Sequence, residues 1–273
     1  MTYFNRKRPP FSLKAQPGFG TIAGLCFVML YAPIITLVVY SFNAGKYISL
    51  WEGFSLQWYV AAWGNEAVQD ATVRSLYLAA QASVYSTILA TMAALGTTRT
   101  PPFRGLTAIY AMINQPLMVP EIVTAVALLI LFAMIKSLTG IQGMVYLVIA
   151  HTAFCIPFAY LPIRARLEGM DLILETAAAD LYATPWKTFW RITLPLLWPG
   201  IIAGSMLAFV ISLDDVVITE FVKSSGQETL PTYMLGQLRR VVTPEINAIS
   251  TLLLGLSILV VCLLFFVERK FGK

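Results

Sequence analysis

The sequence predicts an all-α integral membrane protein, with six transmembrane helices and both termini on the cytoplasmic side (N-in/C-in). Three observations carry that expectation. Of the 273 residues, 58% are apolar and only 12% charged, against roughly 25% charged in a soluble domain, so the bilayer is the solvent for most of the chain. Apolar runs of spanning length recur at about 20–42, 71–97, 106–135, 143–163, 200–222 and 246–267, and roughly 20 residues cross a hydrocarbon core. Six spans put both termini on one side. With that side inside, thirteen of the nineteen lysines and arginines fall in cytoplasmic segments, the excess that sets topology.

Taken in order, the chain begins with a basic stretch, Arg6-Lys7-Arg8, in a cytoplasmic tail over 1–19. Such a start suits a signal peptide, but the run 20–42 is too long for an h-region and no small-residue cleavage site follows it. It is expected to be a retained first span. Trp51, Trp58, Tyr59 and Trp63 then fall in the first external loop, as interfacial anchors or as a short helix on the outer surface. The third run, 106–135, would be about 45 Å long as one helix at about 1.5 Å per residue, more than one crossing. Pro116 and Pro120 interrupt it, and Val119-Pro120-Glu121 has the form of a fresh helix start with an acid in its first turn.

Between the fourth and fifth runs lies a cytoplasmic loop, 164–199, containing TAAADLYATPWKTFWRITLP from Thr176 to Pro195. An alanine-rich helix over 175–181 breaks at Ala183-Thr184-Pro185, where Thr184 suits an N-cap and Pro185 a first helical residue. A second short helix follows over 186–192, with Leu194-Pro195 expected to end it. Two short helices meeting at a capped corner have the form of a docking knob. Trp186, Trp190 and Trp198 straddle the inner interface. The whole of 1–273 reads as a single transmembrane domain.

The net charge of +5 fits the basic inner loops better than a nucleic-acid surface. Cys26, Cys155 and Cys262 sit in apolar runs without paired spacing, so neither a disulfide framework nor a metal site is expected. His151 is the only histidine and lacks partners at ligand spacing, which favours a hydrogen-bonded residue between helices. No nucleophile elbow, no catalytic constellation and no phosphate-cradling motif occurs. If the protein works by ATP, the ATPase is another polypeptide, and no cofactor is expected.

Glu121, Asp214, Asp215 and Glu220 are the acids in or near predicted spans, where charge is costly and faces a pathway or a partner. One reading is an acidic lining for a cationic substrate. The other is that Asp214 or Asp215 pairs with Lys223, Arg239 or Arg240, or caps a helix break near Ser212. A secondary cation carrier would spread acids over several spans and often carry an inverted repeat, which the sequence lacks.

The 176–195 segment resembles the signature loop of permease subunits of binding-protein-dependent ABC importers: Glu-Ala-Ala, three residues, Gly, nine residues, Ile-x-Leu-Pro. Ile192, Leu194 and Pro195 match the end, Ala177 and Ala178 the alanines, and Asp180, Leu181, Ala183 and Pro185 the surrounding pattern. Tyr182 stands in the glycine slot and Thr176 in the glutamate slot, with Glu175 one residue early. Glycine there would allow positive φ or close approach of the ATPase, and tyrosine allows neither easily. The stretches Ser212–Ile218, Thr229–Pro231 and Pro244–Ala248, Tyr40–Asn43, and His151 with Phe154 and Cys155 are similar to the putrescine/spermidine branch of that family, which includes relatives for other small solutes. The resemblance implies import driven by a docked ATPase, through a bacterial inner membrane. Its partners would be a second homologous permease, two ATP-binding subunits, an extracytoplasmic polyamine-binding protein and membrane lipid. It implies ATPase coupling by Glu175, Thr176, Ala177, Ala178, Asp180, Leu181, Tyr182, Ala183, Pro185, Ile192, Leu194 and Pro195.

Overall fold

The computed structural model describes residues 19–47, 50–141, 143–239 and 244–271. The tail expected over 1–19, except Phe19, and the basic residues Arg240 and Lys273 lie outside them. Six helices among the described residues are long and apolar enough to cross a membrane.

Helix α1 (Phe19–Tyr40) is the first of these; among the described residues its apolar surface is largely exposed, and it packs along α12. The loop after α1 is ordered by Asn43. Its carboxamide donates to Leu50 O at 2.6 Å and accepts from Glu52 N at 2.8 Å, while its carbonyl accepts from Trp58 Nε1 at 2.9 Å. The short surface helix α2 (Gln57–Gly64) follows.

Helix α3 (Glu66–Thr98) is longer than the apolar run suggests. Asn65 caps it by accepting from Ala67 N at 3.1 Å, and Glu66 lies in its first turn, favourable beside the helix N-terminus. One face carries Ala71, Ser75, Ala79, Ala82, Ser86, Ala90 and Ala94, all buried, at the three- and four-residue spacing of a single helix stripe.

The third run is two helices. Helix α4 (Leu106–Met118) ends at Val119, which is extended at φ −96° and ψ 136°, and α5 (Glu121–Thr139) starts after Pro120. Proline has no N–H to continue a helix and pushes the preceding residue out of the helical region. Helix α5 alone is of spanning length.

Helix α6 (Val145–Glu168) is the fourth span. Beyond it come α7 (Ile173–Asp180), the single turn α8 (Pro185–Thr188), a π-helical turn at Phe189–Thr193 and α9 (Leu194–Asp214). Here the expectation that Leu194-Pro195 ends the second short helix is corrected: the helical path runs unbroken from Pro185 to Asp214. The wide π turn shifts the hydrogen-bonding register just before Pro195, so the missing proline N–H falls where register is already changing. The fifth span is also corrected at its other end. It does not continue to 222 but stops at Asp214, and α10 (Val217–Val222) is a separate helix. Helix α11 (Leu230–Leu238) had no counterpart in the apolar pattern. A capping box of Thr229 and Thr232, with Pro231 in its first turn, starts it. Helix α12 (Pro244–Phe271) closes the chain.

Helices α3, α6 and α9 form the centre. Between α6 and α9 the backbones nearly touch: a Cβ at Gly204 would lie 2.7 Å from Ala159 O, and one at Gly200 2.7 Å from Arg166 Cβ. Polar stitches join the three helices, with Ser83 Oγ donating to Ser205 O at 2.7 Å and Thr97 Oγ1 bonded to Tyr160 Oη at 2.9 Å. Small residues and side-chain hydrogen bonds are how helices associate in a bilayer.

Gly204→Ala is expected to force these helices apart and to cost about 1–3 kcal/mol, read as a lower thermal unfolding midpoint in detergent. Gly24→Ala, where an added Cβ meets nothing within 4 Å, is the control and should leave the midpoint unchanged.

Candidate functional site

Two constellations stand at opposite ends of α9, about 30 Å apart at the α-helical rise. At its C-terminal end the adjacent acids Asp214 and Asp215 part company. Asp214 ends α9 and is exposed, whereas Asp215 turns extended, at φ −65° and ψ 130°, and is buried. The Asp215 carboxylate accepts from Thr219 N at 2.9 Å, Thr219 Oγ1 at 2.8 Å and Ile218 N at 3.3 Å, satisfying the free N–H groups at the start of α10. His151 Nε2 lies 3.3 Å from the same carboxylate and 2.9 Å from Thr219 Oγ1, and its Nδ1 lies 2.8 Å from Ser212 Oγ. His151, Ser212, Asp215 and Thr219 are all buried, so α6, the end of α9 and α10 are joined by one closed polar network. Asp215 therefore caps a helix break close to Ser212, the second of the alternatives open from sequence, and its histidine partner was not among the bases considered.

Asp214 faces a cavity of about 410 Å³ whose lining also includes Glu121, Asp215, Phe154, Phe158 and Ile211. The break before α5 puts Glu121 there, and the consecutive turns of α6 bring the two phenyl rings together with centroids 5.5 Å apart. Carboxylates beside aromatic faces in a largely apolar pocket suit an organic cation, which gains from both. Glu220 does not line this cavity. It pairs with Lys223 at 2.8 Å. Phe154 and Phe158 are the contributors that residue-level reasoning missed as lining, because in an apolar span a phenylalanine carries no signal of its own.

At the other end, α7 closes with a Schellman motif. Ala183 N donates to Ala178 O at 3.0 Å and Tyr182 N to Ala179 O at 2.9 Å. Tyr182, at φ 58°, is the one non-glycine residue with positive φ among the described residues. Although tyrosine does not take the glycine-slot geometry easily, the backbone keeps the left-handed turn here, at a cost of about 1–2 kcal/mol, with the ring 96% exposed. Thr184 is the N-cap and Pro185 the first residue of α8, with Thr184 Oγ1 accepting from Lys187 N at 3.4 Å.

The corner presents two faces. Thr176, Ala177, Asp180, Leu181, Tyr182, Pro185 and Pro195 are exposed, Ala183, Ile192 and Leu194 half-buried, and Ala178 buried. Glu175 turns inward, 3.3 Å from Arg99 and 2.9 Å from the Thr193 hydroxyl that donates to it. The Thr176 hydroxyl bonds back to Ile173 O at 2.9 Å, so it offers no charge to a neighbour.

The model of the binding-protein-dependent transport system inner membrane component family matches residues 86–270. This chain belongs to that family. It is 42% identical over 234 residues to the putrescine transport system permease protein PotI of Escherichia coli, covering 85% of this chain and 83% of that protein. It is 38% identical over 244 residues to the spermidine/putrescine transport system permease protein PotC of Haemophilus influenzae, covering 89% and 93%. Among solved structures, a bacterial ABC transporter for the import of alginate superposes with TM-score 0.65 at 16% identity, over 97% of this chain and all of that one. The inward-facing MetNI methionine ABC transporter superposes at 0.62 and 15% identity, over 77% of this chain and all of that one. The family and the six apolar helices make the chain an inner-membrane component of a transport system, with the fold of ABC importer permeases.

His151→Leu is expected to leave the buried Asp215 and Ser212 short of a partner and to destabilise by about 1–3 kcal/mol, measured as a lower unfolding midpoint. At the corner, Tyr182→Gly should match or exceed wild-type stability, by up to about 1 kcal/mol. Tyr182→Pro, locked near φ of about −65°, should open the Schellman turn and raise protease cleavage there.

Proposed function

We propose that this chain is the permease subunit of an ATP-driven importer for polyamines of the putrescine or spermidine class. The observation that carries the substrate is the cavity in which Asp214 and Glu121 stand beside Phe154 and Phe158. A polyamine is a chain of ammonium groups joined by methylenes, so it offers cationic centres for carboxylates and ring faces and apolar linkers for the walls between. The high identity to permeases named for putrescine and spermidine supports the same reading.

In this reading the corner over 176–195 lies in the cytoplasm and receives an ATP-binding subunit against Ala177, Asp180, Leu181 and Tyr182. A second homologous permease completes the pathway, two ATP-binding subunits drive it, and a binding protein outside delivers the substrate. The whole chain acts as one transmembrane domain. Helix α9 then runs from the docked ATPase to Asp214, so rigid-body displacement of the corner alters the acid-lined cavity at its far end. Asp215 also lines the cavity, but its carboxylate is engaged by Thr219, Ile218 and His151, so its main part is to hold the break that presents Asp214.

The test is uptake by the complex reconstituted in vesicles. A charge-assisted hydrogen bond contributes about 1.5–3 kcal/mol, so Asp214→Asn should lower putrescine or spermidine uptake about ten-fold or more, with normal membrane levels. Asp215→Asn should lower membrane level and uptake together. Uptake unchanged in Asp214→Asn would remove the cavity from the pathway, and uptake that persists without the ATP-binding subunits would overturn the importer reading.

A further inference from the structure

Glu175 belongs to the segment that the ATPase is expected to seat on, yet its carboxylate points into the protein. Its Oε1 accepts a hydrogen bond from Arg99 Nη2 at 3.3 Å, and its Oε2 lies 3.3 Å from Arg99 Nε as an ion-pair contact without hydrogen-bond geometry. It also accepts from Thr193 Oγ1 at 2.9 Å. Arg99 is the C-cap of α3, and Thr193 is the last residue of the π turn, directly before α9. Both partners of the ion pair are only 21% exposed, and Thr193 is 5% exposed. In such a setting one charge-assisted hydrogen bond from the guanidinium and one hydrogen bond from the Thr193 hydroxyl hold the carboxylate in place.

Connectivity gives this arrangement its meaning. Helix α7 is joined by the chain itself to α6 on one side and, through α8 and the π turn, to α9 on the other. It packs on α8 and the π turn. Its tie to α3 runs through the Glu175 carboxylate, across 76 residues of sequence. Since α3, α6 and α9 make up the centre of the fold, this one carboxylate completes the set: movement of α7 reaches all three central helices rather than two. A π turn at the same junction is a place where helical register can change at low cost, and Thr193 holds that turn to α7.

We propose that Arg99, Glu175 and Thr193 form a positioning pin that transmits displacement of the coupling helix to α3 and α9 together, with Glu175 facing the membrane domain and not the ATPase. The proposal rests on the importer reading above. Glu175 is a positioning residue acting through Arg99 and Thr193.

The experiment uses the complete complex in vesicles and reads three quantities: ATP-binding subunit retained on purification, ATP hydrolysed, and labelled putrescine taken up per ATP. With Glu175→Gln and with Arg99→Gln, the subunits should co-purify at the wild-type ratio while uptake per ATP falls about ten-fold, within the 5- to 150-fold range of coupling energies. The exchange Arg99→Glu with Glu175→Arg should recover at least half of the loss. Thr193→Val removes one hydroxyl without adding a charge, so it remains informative if the charged variants fail to accumulate; it should lower uptake per ATP about three-fold. Loss of the ATP-binding subunit from Glu175→Gln would mean the carboxylate faces the ATPase and would overturn the pin. Wild-type uptake per ATP in all variants, or no recovery in the exchange, would overturn it too. A wild-type complex without ATP-dependent uptake would instead sink the importer reading.

Discussion

The close approach of α6 and α9 at Gly200 and Gly204 is the constraint on which the rest of this structure depends. Lipid tails are as apolar as leucine, so burying hydrophobic side chains supplies no drive for helices to associate within the bilayer. Association must come from backbone proximity and from hydrogen bonds that water would otherwise weaken. Glycine on α9, an alanine and serine face on α3 and the serine–carbonyl bond from Ser83 to Ser205 supply both. Once the three helices are locked, their ends have defined positions. His151 can meet the start of α10, and Arg99 can meet α7.

Much of this was legible because a bilayer imposes a coarse rule. Apolar length alone located six spans, and Pro120 foretold the break before α5, whereas Pro116, also expected to interrupt the run, sits inside α4. The Thr184-Pro185 corner could be read because caps are local chemistry. What escaped reading were features decided by tertiary partners. The fifth span looked continuous to 222 because Val216, Val217 and Ile218 are as apolar as the helix before them. The break there comes from the Asp215 carboxylate taking the N–H groups of the next helix, supported by a histidine from α6. Proline 195 looked like a stop because the local rule says so, and the π turn that carries the helix past it has no sequence signature. Helix α11 was missed because its nine residues are too few for a spanning run, although Thr229-Leu230-Pro231 is a capping pattern in retrospect.

The candidate site shows the same division. Asp214 and Asp215 are neighbours with the same chemistry, and no periodicity argument distinguishes their roles. Structure separates them by one backbone change, from helical to extended, which draws one acid into a hydrogen-bonded network at the cavity wall and leaves the other exposed to the open volume. Glu121 joins Asp214 only because a different break, at Val119 and Pro120, starts α5 at that depth. Two interruptions of helical geometry thus build one pocket. Non-helical backbone at membrane depth is tolerated where it lines a cavity or is buried in protein, and here each break does one of those things.

The left-handed turn at Tyr182 has a consequence for partner choice. Glycine in that position would leave bare backbone at the tip of the corner, whereas the phenol ring stands clear of the chain. If an ATP-binding subunit seats on this corner, as proposed, its surface there must hold a recess large enough for an aromatic ring. Such a recess would still admit a glycine corner, loosely, but a surface moulded on glycine would exclude this one. Interchange of driving subunits between importers of this architecture would then be one-directional: an ATPase fitted to this permease tolerates foreign corners better than foreign ATPases tolerate this chain.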